Sequence, residues 1–139
     1  MNSRDELQRA YLDTTFVAFA LDSEIRIRVG QQNIALNDLL RKHGASTWAF
    51  ITAYNPGSVL LDSSENEQRQ KQLESDLRAC GYVLILGAGE PGTNDSPAER
   101  SVLVLGMERG EAEGFGRKYE QNAIIFGTEK GFPELLWIQ

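Results

Sequence analysis

The residues of this chain whose types and spacing could do chemistry fall into two groups. Amides, hydroxyls and one guanidinium recur at Thr52, Asn55, Ser58, Asn66, Arg69, Ser101, Gln121 and Asn122. Such groups read a small polar molecule through hydrogen bonds and break no bond themselves. The second group is a pair of carboxylates, Glu65 and Glu99. A glutamate works as a general base when burial raises its pKa towards neutrality. Arg69 stands one helical turn beyond Glu65, where it could orient an anionic group, although pairing with that glutamate is the favoured reading. Each position also has a plain structural explanation. Asn55-Pro56-Gly57-Ser58 is ordinary turn chemistry, and acids at a helix start suit the helix dipole.

Other chemistries find little footing. His43 is the sole histidine and sits at a predicted helix end, where capping carbonyls is its expected role. The single Cys80 excludes an internal disulfide and is expected to be a small buried hydrophobe. No C-x-x-C or H-x-x-x-H occurs, so no metal and no cofactor is expected. Gly87-Ala88-Gly89-Glu90-Pro91-Gly92 spells G-x-G-x-x-G after a strand, but a further strand follows where a pyrophosphate-binding helix is required. Asn94-Asp95-Ser96 matches a glycosylation sequon, which carries no meaning in a cytoplasmic protein.

A net charge of −6 and a pI near 4.8 argue against a nucleic-acid partner, since no Lys/Arg cluster offsets the repulsion from phosphate. No apolar run reaches the ~18 residues of a membrane span, and the polar, acid-bearing start of the chain is not a signal peptide. A cytoplasmic location is the expectation.

The elements that must position these groups follow from periodicity. A helix is predicted over Arg4 to Leu12, strands over Thr15 to Ala20 and Glu24 to Val29 with a hairpin turn at Asp22-Ser23, and a brief helix around Leu36, Leu39 and Leu40 ending at Gly44. Thr47 to Ala53 reads as a strand. A helix follows from Glu65 to Cys80, with Leu73, Leu77 and Cys80 inward and a Ser64/Glu67 capping box. Strands at Tyr82 to Leu86, Ser101 to Leu105 and Ala123 to Phe126, a loop over Gly87 to Ala98, and a helix over Glu111 to Tyr119 complete the rhythm. Leu135 to Ile138 is expected to pack.

Strand–helix–strand–strand–helix–strand is the ferredoxin-like pattern. The predicted fold is α+β, a single domain built as a two-layer sandwich. Residues 46–128 form a ferredoxin-like β-α-β-β-α-β core, residues 1–45 a helix and β-hairpin extension, and residues 129–139 a packed tail. In that topology the segments at 52–58, 64–69, 87–98, 99–101 and 121–122 converge on one rim.

The same residues carry a resemblance. Thr52-Ala53-Tyr54-Asn55-Pro56-Gly57-Ser58, Glu65-Asn66-Glu67-Gln68-Arg69, Glu99-Arg100-Ser101 and Gln121-Asn122-Ala123-Ile124 follow one another as in a bacterial family known as domain of unknown function 3293. The chain resembles that family over roughly residues 11 to 126. It departs where an aromatic is expected shortly before Glu99 and Ser96-Pro97-Ala98 stand instead. The family has no established activity, so the resemblance supports the choice of residues and names no reaction. Three functions stay open: binding of a small polar ligand at the rim, catalysis with Glu65 or Glu99 as base, and a protein–protein module, such as a homodimer, formed by sheet-edge pairing.

Overall fold

A computed structural model describes residues 3–93 and 96–139 of the chain; Asn94 and Asp95, the first two residues of the sequon, lie outside them. The helices are α1 (Arg4–Asp13), α2 (Ile34–Lys42), α3 (Ser63–Ala79) and α4 (Arg109–Lys118). The strands are β1 (Thr15–Phe19), β2 (Glu24–Ile27), β3 (Thr47–Ile51), β4 (Val83–Glu90), β5 (Glu99–Leu105), β6 (Ala123–Thr128) and β7 (Glu134–Trp137).

All the strands join one antiparallel sheet in the order β2-β1-β4-β5-β3-β6-β7. Laid flat, seven strands would separate the outer two by about 29 Å. Yet Gly30, just after β2, donates its N–H to the carbonyl of Pro133, just before β7, at 2.8 Å. Gln32 reaches the Lys130 carbonyl at 2.9 Å beside it. The sheet therefore curls into a half barrel whose edges meet at one end.

Strand alternation sorts the side chains between the two faces. Trp48 and Phe50 of β3, Leu103 and Leu105 of β5, Ile125 of β6, Phe16 of β1 and Ile25 and Ile27 of β2 share the inner core with Leu36 and Leu40 of α2. Ala49, Ile51, Val102, Val104, Ile124 and Phe126 face outward and are covered by Leu73 and Leu77 of α3 and Ala112 of α4. Helices thus lie on both faces of the sheet.

This corrects the predicted two-layer ferredoxin-like core. The predicted N-terminal hairpin joins the sheet itself, where β1 pairs with β4 and widens it beyond four strands. The C-terminal tail is a strand paired with β6. The pairing groups of both edges were invisible to a pattern that ended the sheet at four strands.

Local details differ for identifiable reasons. The predicted loop at Gly87 is strand to Glu90, because its glycines lie under aromatic neighbours. A Cβ on Gly87 would stand 2.2 Å from the Val17 carbonyl and 3.2 Å from the Phe50 ring. Asp62, not Ser64, caps α3, accepting from the Glu65 N–H at 2.8 Å. Cys80 is exposed, because α3 ends at Ala79 and its last buried contact is Leu77.

Candidate functional site

The central strands β4-β5-β3-β6 are neighbours, so their ends meet although the rest of the sheet was misjudged. There the inner face is left unfilled by α2, and a cavity of about 540 Å³ opens between the sheet and α1. Of the sequence candidates, Thr52, Asn55, Ser58, Glu99, Ser101, Gln121 and Asn122 line it. Phe16, Phe50, Ala123 and Ile125 supply apolar floor, and Leu7, Ala10 and Tyr11 of α1 form one wall.

Asn55 organises the site. It holds a left-handed backbone at φ 48°, which Asn tolerates better than most residues, ahead of a single 3-10 turn at Pro56–Ser58. Its Oδ1 accepts from the Leu61 N–H at 3.0 Å and from Asn66 Nδ2 at 2.8 Å. That leaves its Nδ2 to donate to Glu99 Oε2 at 3.0 Å. Asn66 returns the contact, its Oδ1 accepting from the Asn55 N–H at 2.8 Å. Asn66 is buried and outside the cavity, so it fixes the turn.

Arg69 is also a strap outside the lining. Nε donates to the Ala53 carbonyl at 2.8 Å and Nη2 to the Tyr119 carbonyl at 2.7 Å, binding β3 to the end of α4. Its ion pair is with Glu120, at 3.7 Å, and not with Glu65. Glu65 itself is exposed in the first turn of α3, where sharing a hydrogen bond with Asp62 raises its pKa. The two candidate carboxylates therefore stand in different places, and the cavity takes only Glu99.

Glu99 is held at the start of β5 with its carboxyl turned inward. Burial raises its pKa above the usual carboxylate range, opposed by the Asn55 hydrogen bond. Tyr11 faces it from α1; burial first, and then the Glu99 charge, push the phenol up to about 12. The Tyr11 hydroxyl reaches the Ala123 carbonyl at 3.5 Å, long for such a bond. Its ring packs edge-on against Trp137 of β7, centroids 6.1 Å apart. The cavity wall is thus braced by both ends of the chain.

Thr52, Ser101, Gln121 and Asn122 are anchored by their own donors. Thr52 Oγ1 donates to the Arg100 carbonyl at 2.7 Å, and Ser101 Oγ to the Glu99 carbonyl at 2.9 Å. Gln121 Nε2 donates to the carbonyls of Tyr54 and Tyr119 at 3.1 and 3.2 Å. Asn122 Nδ2 donates to Ser58 Oγ at 2.7 Å.

Behind the site, on the outer face, lies a polar network that the sequence reading missed. Gln70, fully buried, accepts from the Ala53 N–H at 2.9 Å and donates to Glu74 at 3.1 Å. Arg100 bridges Glu74 at 2.9 Å and Glu67 at 2.8 Å, and the Tyr54 hydroxyl donates to Glu67 at 3.0 Å. The available signal was Glu67, Gln70 and Glu74 at helical spacing on the face that carries Leu73 and Leu77. Polar residues on an inward stripe demand buried partners. Tyr11 was also missed as a wall residue, because only the curl brings α1 to the rim.

Among the described residues no cluster of His, Cys, Asp and Glu is arranged to hold a metal ion, and no helix is long and apolar enough to cross a membrane. A family model described as "Protein of unknown function (DUF3293)" matches residues 51–124, more than half of the chain. No curated protein and no solved structure matches.

Proposed function

The chain belongs to the DUF3293 family, and we propose that it binds a small polar ligand in the cavity between α1 and the inner face of the sheet. One observation carries this reading. A half-buried carboxylate, Glu99, faces a cavity of about 540 Å³, a volume suited to a small metabolite, and only one of its oxygens has a partner among the described residues. The other oxygen opens to the cavity, where a bound ligand would take the place of water. The lining amides and hydroxyls are held by their neighbours, which suits recognition.

A thermal-shift and amide-NMR panel of amines, sugars, nucleosides and carboxylic acids tests it. The expected result is a saturable hit whose shifts map to Glu99, Ser101 and Ala123 and which Asn122→Ala or Glu99→Gln weakens. A silent panel, or shifts mapping to another surface, would overturn it.

A second reading rests on the raised pKa of Glu99, the property of a general base in a small enzyme. It expects Glu99→Gln to keep ligand affinity and lose turnover. Sheet-edge pairing into a homodimer has weaker support, since each edge strand is four residues long and the two edges converge.

A further inference from the structure

We propose that the ligand of this cavity is a small organic cation, its ammonium, amidinium or guanidinium head seated on the Glu99 carboxylate. This rests on the reading of the cavity as a ligand site and goes on to say what charge that ligand bears.

The argument is a balance of donors and acceptors. Most interior side-chain donors of the lining are already engaged by the protein: one N–H of Asn55 Nδ2 by Glu99, Gln121 Nε2 by two carbonyls, and one N–H of Asn122 Nδ2 by Ser58. The hydroxyls of Thr52 and Ser101 likewise donate to carbonyls. The orientation of the two amides is fixed by their partners. Asn55 Oδ1 accepts a backbone N–H, and Gln121 faces carbonyls, which only an NH2 group satisfies. What remains inside is chiefly acceptors, beside the second N–H of Asn55 and the loosely held Tyr11 hydroxyl. Glu99 Oε1 and Gln121 Oε1 have no donor among the described residues, and neither is sealed from solvent.

The charge balance has the same sign. Glu99 and Asp13 line the cavity, and no Lys, Arg or His does so among the described residues. The nearest guanidinium on the Glu99 strand, Arg100, points to the opposite face and is taken by Glu67 and Glu74. Hydroxyls with an uncommitted proton, Ser58, Thr93 and Ser96, belong to exposed residues of the lining. An anion entering this cavity would meet a carboxylate and oxygen lone pairs. A cation would meet a carboxylate, an amide oxygen and, in Tyr11 and Phe50, aromatic rings that also favour positive charge.

Isothermal titration with matched probes decides the matter. The cations are benzamidine, phenethylamine and agmatine. Benzamide, phenethyl alcohol and adipamide are the neutral counterparts, and benzoate, phenylacetate and adipate the anions. At least one cation is expected to bind saturably and to displace amide signals at Glu99 and Ser101, with its neutral and anionic counterparts at least tenfold weaker. A charge-assisted hydrogen bond is worth about 1.5–3 kcal/mol, so Glu99→Gln should weaken that cation by roughly 10- to 150-fold. The ranking in the native protein needs no variant and stands even if Glu99→Gln misfolds. Equal or tighter binding of a neutral or anionic counterpart would overturn the proposal, as would silence from all three cations. If a neutral or anionic compound then binds at Glu99 and Ser101, the ligand site survives and only its charge preference falls. If nothing binds there, both readings fall.

Discussion

At the scale of the residue, Glu99 sits against its own stability. Burial raises its pKa in the folded chain above the ordinary 4.5, so ionising it costs folding free energy. The burden is absent below the ordinary glutamate range, grows as pH rises through 4.5 and the unfolded chain ionises, and is complete above the raised value. Glu99→Gln removes the charge and keeps an acceptor for Asn55. The variant is therefore expected to match the native protein in urea melts near about pH 4 and to exceed it near about pH 8. An identical difference at both pH values would mean that Glu99 is not carrying a desolvation penalty. Glu99 was a candidate because the predicted topology set the start of its strand at the same rim as Glu65. Its separation from Glu65 was not legible. Helical position alone places Glu65 near the rim, and the direction of its side chain depends on which residue caps α3. With Asp62 at the cap, Glu65 turns to it and to solvent.

At the scale of the element, most boundaries follow from local sequence, and the strand that was read as a loop fails at its glycines. Leu73 and Leu77 fix the buried face of α3, and the alternation of Ile25 and Ile27 fixes β2. Gly87 and Gly89 read as loop because nothing local reports that Val17 and the ring of Phe50 lie over the first and the ring of Phe16 over the second. A strand glycine pressed by a neighbouring backbone cannot be told from a turn glycine without its partner strand. Gly87→Ala tests the difference. The new Cβ would meet the Val17 carbonyl at 2.2 Å, a contact with backbone that no rotamer relieves. The expected cost is about 1–3 kcal/mol or more in denaturant melts, with hydrogen-exchange protection lost first along β1 and β4. A neutral result would show that these strands separate more easily than their register implies.

At the scale of the whole molecule, the curl is the property no local pattern contains. The central strands were readable as segments, while the sheet they join is not the predicted ferredoxin-like one. The joining of β2 to β7 depends on contacts such as Gly30 with Pro133, which pair residues of no special chemistry. Removing residues 132–139 would delete β7, bare the hydrogen-bonding edge of β6 and unseat Tyr11 from Trp137. The truncated chain is expected to melt at lower temperature and to form oligomers on size-exclusion chromatography through the exposed strand. A monomeric product with native melting would show that the half barrel holds without its last strand.

The same closure sets a clock. Arg4 donates to the Gln139 carbonyl across 135 positions, and Tyr11 reaches the Ala123 carbonyl across 112. Contacts so distant along the chain form only after the loop between them has been closed, and that entropy is lost before the contacts repay it. The outer layer of α3 against β3 and β5 joins nearer segments and assembles on its own schedule. The wall of the cavity, one terminus resting on the other, is therefore expected to close late on refolding, later than the layer of α3 on the sheet.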